Sequence, residues 1–125
     1  MKTIICDIDG TLTEYMGGGH KAIIEQDHIA CPGVIDKMRS WEAIGHRIIL
    51  ITGRRESVRK RTEDELRRLG IPFDVLLMGY ADSGRYLIND ISPHVGAKAH
   101  VVNVERDAGW KYYDWGSVGL DNLGK

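Results

Sequence analysis

Short runs of β-branched residues alternate along this chain with stretches whose apolar residues recur three and four positions apart. Thr3 to Ile8 is the first such run and predicts a buried strand. Residues 10 to 33 are polar and rich in glycine, with a triplet at Gly17, Gly18 and Gly19, and predict a loop or a small hairpin. Pro32 stands where a helix can begin. Val34, Ile35, Met38 and Trp41 follow at helical spacing, and Gly45 is a stop. Arg47 to Ile51 predicts a second buried strand. Thr52-Gly53-Arg54-Arg55 turns into a charged helix from about Glu56 to Leu69, with Val58, Leu66 and Leu69 as its apolar stripe. Its other faces offer Arg59–Glu63 and Asp64–Arg68 pairs four apart. Gly70 ends it and Pro72 blocks its continuation. Asp74 to Met78 predicts a third strand, Tyr86 to Ile91 a fourth, and His100 to Val104 a weaker fifth.

Strands alternating with helices imply right-handed crossovers and a mostly parallel sheet. The expected fold is therefore α/β: a Rossmann-like three-layer sandwich with no cap domain. Runs such as Ile48-Ile49-Leu50-Ile51 fit a sheet covered on both faces.

Composition narrows the class. The 125 residues are 42% apolar and 28% charged, which fits one domain over 1–125 with a modest core. Within it, about 10–32 forms a flap loop and about 105–125 an aromatic tail. The net charge of −1 argues against a dedicated nucleic-acid binder or a basic membrane-surface module. No apolar run approaches the roughly 18–20 residues of a membrane span. The N-terminus turns acidic too early for a secretory signal. Cys6 and Cys31 make no disulfide framework, so the expected setting is a reducing cytoplasm with both thiols free. Trp110, Tyr112, Tyr113 and Trp115 gather aromatic surface in the tail, and an oligomer contact is expected there, with closure of the core as the plainer alternative.

Chemistry gathers where parallel strands end. Strand one runs into Asp7-Ile8-Asp9-Gly10-Thr11-Leu12-Thr13, strand two into Thr52-Gly53-Arg54, and strand four into Asn89-Asp90. Carboxylates at alternate positions share a side while the chain is extended. The turn at Gly10 lets Asp7 and Asp9 diverge, so one can face a phosphorus and the other its bridging oxygen. Asp90 would arrive from another strand. Such a cluster of hard oxygen donors favours Mg²⁺.

Asp7-Ile8-Asp9-Gly10-Thr11-Leu12-Thr13 resembles the first signature of the haloacid dehalogenase-like phosphohydrolase superfamily. Ile51-Thr52-Gly53-Arg54 resembles its second and Ile88-Asn89-Asp90 its fourth. Over about residues 3 to 95 the chain is similar to the small capless members found in surface-polysaccharide biosynthesis. The resemblance implies that Asp7 is the nucleophile, forming an aspartyl-phosphate. Asp9 would be the general acid and then the base. Mg²⁺ would be held by Asp7, the Asp9 backbone carbonyl and Asp90, with Asn89 as an uncharged ligand or support for a bound water. Thr52, Gly53 and Arg54 would hold the substrate phosphate. The superfamily also places a lysine or arginine between the second and fourth signatures. Gly79-Tyr80-Ala81 stands where related sequences carry that lysine, which leaves Arg85 as the best replacement cation, ahead of Arg54 and Lys60.

The function expected is a Mg²⁺-dependent phosphatase for a phosphate monoester, a sugar phosphate first among them. It would be a homo-oligomer with a small-molecule substrate and neither nucleic acid nor membrane as partner. The alternatives are a phosphatase for a macromolecular substrate, or a catalytically weak binding or scaffold protein. Cys6 is expected to turn into the core. His20 is expected to be an exposed loop residue, and Arg59, Arg61, Arg67 and Arg68 a solvated helix face.

Overall fold

The structure is a computed structural model that describes residues 1–81 and 83–121. Strands β1 (Thr3–Asp7), β2 (Arg47–Ile51) and β3 (Val75–Leu77) form a parallel sheet in the order β1-β2-β3. Asp7 lies opposite Ile51, and Ile51 opposite Leu77, so all three strands end at one edge. Helices α1 (Gly19–Glu25) and α2 (Val34–Ile44) connect β1 to β2. A 3₁₀ turn at Glu56–Val58 leads into α3 (Arg59–Leu69), which connects β2 to β3. This is the Rossmann-like α/β arrangement that the hydrophobic pattern predicts.

Both crossovers step the same way across the sheet, so the right-handed rule puts α2 and α3 on the same face. Cys6, Ile8, Ile48, Leu50, Leu76 and Met78 join one buried cluster with Val34, Met38 and Trp41 of α2 and Leu66 of α3. The opposite face is only partly covered. Ile5 stays 50% exposed and Val75 41%.

The glycine-rich stretch after β1 makes a hairpin-like excursion with α1 at its far end. Glu14 N–H donates to Ile29 O at 3.0 Å, and Cys31 N–H to Leu12 O at 2.8 Å. Helix α2 ends at Gly45, whose φ of 107° lets its N–H cap the Trp41 and Glu42 carbonyls.

The chain after β3 departs from expectation. Tyr86–Ile91 and His100–Val104 are not strands. Among the described residues after β3, only β4 (Ile91–Ser92), which takes in the last residue of the first run, and β5 (Gly96–Ala97) pair, as a small antiparallel hairpin apart from the main sheet. Strand propensity measures how well a residue fits a half-buried pleated surface. Here the run finds none, and Tyr86 and Ile88 are 94% and 92% exposed. The Ser92 hydroxyl accepts the His94 and Val95 N–H groups, which closes a local turn instead.

The tail divides. Trp110 and Trp115 pack with Trp41 at centroid distances of 5.7 and 5.1 Å and belong to the core. Tyr112 is exposed and Tyr113 lies against Trp115. Among the described residues, no helix is long and apolar enough to cross a membrane.

Candidate active site

Asp7 closes β1. The chain then turns sharply: the Ile8 carbonyl accepts the N–H groups of Thr11, Leu12 and Thr13, while Gly10 N–H donates to Thr13 O at 2.7 Å. Gly10 enters this turn at φ 86°, and a Cβ there would stand 3.1 Å from Arg106 Cγ. The turn sends the carboxylates of Asp7 and Asp9 to different cations.

Asp7 meets Arg85. Arg85 Nη1 donates to Asp7 Oδ1 at 2.9 Å, and the Thr11 hydroxyl donates to Asp7 Oδ2 at 3.3 Å. The loops after β2 and β3 carry Arg85 there. Thr52 N–H donates to Leu77 O, Gly79 N–H to Arg54 O and Tyr80 N–H to Thr52 O, so the ladder continues past both strand ends. Arg85 Nη2 then donates back to Tyr80 O at 3.3 Å.

Asp9 meets Arg54. Arg54 Nε donates to Asp9 Oδ2 at 3.0 Å and Nη2 to Asp9 Oδ1 at 2.7 Å, a two-pronged fork. Arg54 Nη1 donates on its far side to Thr62 Oγ1 at 3.2 Å and Glu65 Oε1 at 3.1 Å. Burial alone favours a neutral guanidine, but hydrogen bonds and charge from Asp9 and Glu65 outweigh it and raise the Arg54 pKa. In this structure Arg54 therefore faces Asp9 and α3, not an open phosphate position. Its side chain is 2% exposed and four of its five N–H donors are taken within the protein.

Thr52 is buried, and its hydroxyl accepts the Arg54 N–H at 3.1 Å, so it shapes this turn. Gly53 beside it is exposed at the same edge. Asn89 and Asp90 are not brought to the site on a strand. Both are exposed, and Asp90 pairs with Lys98 of the small hairpin region.

Carboxylate oxygens at this edge are of the kind Mg²⁺ prefers. The arrangement itself does not fit a three-acid magnesium site. Asp7, Asp9 and Asp90 each face their own cation (Arg85, Arg54 and Lys98), so side-chain charge relieves the repulsion that an ion would otherwise relieve. Among the described residues, no three acids, histidines or cysteines gather as a metal-holding group.

Sequence reasoning missed Glu65, Thr62 and His28. Glu65 and Thr62 sit on the stripe Val58-Thr62-Glu65-Leu66-Leu69, and an acid on an apolar stripe was the available signal. The helix arginines also differ from a plain solvated face. Arg59 pairs with Glu63 at 3.5 Å, as spacing predicts. Asp64 pairs with Lys60 and Arg67, whereas Arg68 donates to His28 O and Arg61 to Ile23 O and Gln26 O, tying α3 to the flap. Cys6 faces the core, where burial first and the Asp7 charge second push its pKa up. Neither cysteine is in a disulfide.

Comparison with known proteins bears on the family and the fold. A family model described as the LNS2 domain of PITM 1-3 matches residues 4–104. A chain of a Pnkp1/Rnl/Hen1 complex is similar at 30% identity over 68% of this chain, with a TM-score of 0.56. A chain of a Pnkp1/Rnl/Hen1 RNA repair complex is similar at 30% identity over 69%, with a TM-score of 0.55. This chain spans only 30% and 27% of the length of those two. A protein from Vibrio cholerae shares the fold at 22% identity, over 70% of this chain and 80% of its own, with a TM-score of 0.51. No curated protein matches the chain.

Proposed function

The chain belongs to the LNS2-domain family, within the haloacid dehalogenase-like superfamily of phosphatase folds, and we propose that it hydrolyses phosphate monoesters through an aspartyl-phosphate. The observation that carries this reading is the pair Asp7 and Asp9 at the end of β1, each facing its own arginine. Asp7 is 31% exposed and Asp9 23%, so a substrate can approach both.

In this reading, an oxygen of Asp7 attacks phosphorus. The Asp7 O–P bond forms as the ester P–O bond breaks, and Asp9 gives its proton to the departing oxygen. Water then attacks the aspartyl-phosphate and passes a proton to Asp9, which releases phosphate and restores Asp7. Arg85 offsets the repulsion between the Asp7 carboxylate and the incoming dianion. The substrate class is a sugar phosphate, as the resemblance to capless polysaccharide-biosynthesis members implies.

The pairing of Asp90 with Lys98, and the lack of a three-acid cluster among the described residues, favour a second reading, a domain that binds phosphorylated ligands and turns them over weakly. One assay separates the two. Phosphate release is measured on a panel of sugar phosphates and phosphorylated macromolecules, with added Mg²⁺ and with excess chelator. Turnover that prefers sugar phosphates supports the proposal. Binding without turnover supports the alternative, and the chelator arm decides whether the ion takes part.

A further inference from the structure

Behind the site, α3 carries a buried carboxylate that the reaction described above does not use. Glu65 is 6% exposed and Thr62 fully buried, on the face that α3 turns to the core. Glu65 Oε1 accepts from Arg54 Nη1 at 3.1 Å. Its other oxygen accepts the His28 backbone N–H at 3.3 Å and stands 2.8 Å from His28 Nδ1. A carboxylate only accepts, so Nδ1 is the donor in that contact. His28 is itself 1% exposed.

The result is an unbroken chain from the flap to the site: His28, Glu65, Arg54, Asp9. A guanidinium is rigid and planar, with five donors in fixed directions. Arg54 spends two on Asp9, and its far side is fixed by Glu65 and Thr62. The orientation of that plane sets the orientation of the Asp9 carboxyl. A fork takes one lone pair from each Asp9 oxygen and leaves another on each free for a proton in flight. Glu65 is also the buried counter-charge of Arg54, so removing it strands part of that charge, and a stability role has to be separated from a positioning role by experiment.

We infer that Glu65 is a positioning residue, acting through Arg54 to aim the Asp9 carboxyl at the substrate's bridging oxygen. The inference rests on the phosphatase reading and adds to it a residue outside the strand-end signatures. It has a specific consequence. Proton delivery matters most when the leaving group is a strongly basic alkoxide, and little when it is a stabilised phenolate. Misdirecting Asp9 therefore penalises sugar phosphates selectively in kcat/KM, which reports the step in which the leaving group departs, whereas general loosening of the fold penalises every substrate alike.

The test compares glucose 6-phosphate with p-nitrophenyl phosphate in the wild-type protein, Glu65→Gln and Arg54→Lys. Arg54→Lys keeps the charge, loses the fork, and serves if Glu65→Gln does not fold. Lys60→Ala, on the exposed face of α3, is the control. The expected result is a fall in kcat/KM on glucose 6-phosphate of about 10²-fold, the lower end for general acid catalysis. On p-nitrophenyl phosphate the change in kcat/KM should stay within a few-fold. Equal losses of kcat/KM on the two substrates, or no loss on either, overturn the inference while leaving the phosphatase reading intact. A wild-type protein inactive on both substrates overturns that reading, and the inference with it.

Discussion

Arg85 Nη1 stands 2.9 Å from Asp7 Oδ1, across a sequence separation that the loops after β2 and β3 close. The contact gives the proposed nucleophile a cation of its own. Removing a preorganised charged donor commonly costs about 10²–10³ in rate. Arg85→Ala should therefore lower kcat by that order, and Lys60→Ala should leave it unchanged. Arg85→Lys should recover part of the loss, because an ammonium keeps the charge but not the second contact to Tyr80 O. Steady-state rates of the three variants on one substrate are sufficient. Equal rates for Arg85→Ala and the wild-type protein would remove Arg85 from the mechanism.

Asp7→Asn should abolish turnover. An amide of nearly the same shape cannot attack phosphorus. The residue is partly exposed, so the amide can keep the Arg85 contact through its oxygen and the fold should persist. Phosphate release and a thermal melt, measured on the same preparation, check both halves. An inactive protein with a wild-type melting temperature is the expected outcome, and retained activity refutes the nucleophile assignment.

Much of this was legible in the sequence. The runs at Thr3–Ile8 and Arg47–Ile51 are β-branched, short and bounded by turn residues, so their strands follow from local pattern. Gly45 and Gly70 mark the ends of α2 and α3, where the chain enters the left-handed region. Arg85 reaches Asp7 from the loop after β3, not from the entry to the fourth strand that the pattern predicts. What local pattern could not show was competition for partners. Tyr86–Ile91 has the residues of a strand, but a strand exists only where a neighbour offers a matching edge. Arg54 looked available to a phosphate because Glu65, its buried counter-charge, lies eleven positions on and one helix away. Trp110 looked like interface until Trp41 supplied a buried partner.

The buried thiols give the fold an alkaline limit. Burial, with smaller effects from Asp107 and Glu14, pushes the Cys31 pKa from 9.0 to about 11. In the native protein the thiol therefore keeps its proton at pH values where the unfolded chain has lost it. Its contribution is complete below pH 9.0 and is lost as pH rises through about 11. The Cys6 shift has the same sign. Melting temperature should thus fall between these pH values. Cys31→Ala should be less stable throughout but show a shallower fall, and parallel curves for the two proteins would refute the linkage.

The tail is locked to the start of α2 by two glycines that face its residues at close range. Gly109 adopts φ 78°, and a Cβ there would collide with the Pro32 carbonyl oxygen, which already accepts the Trp110 N–H at 2.7 Å. Gly33 adopts the same φ, and its Cβ would lie 2.7 Å from Lys111 N. These are backbone contacts that cannot yield without undocking the tail and Trp110 with it. Gly17 supplies the control, because it has φ 69° but open space around it. Gly17→Ala should cost only the left-handed penalty of about 1–2 kcal/mol. Gly109→Ala should cost clearly more, since the same penalty is joined by steric overlap and by loosened packing of Trp110 on Trp41. Denaturant unfolding followed by tryptophan fluorescence measures both variants. Equal destabilisation would mean that the tail is not held against Pro32 in solution.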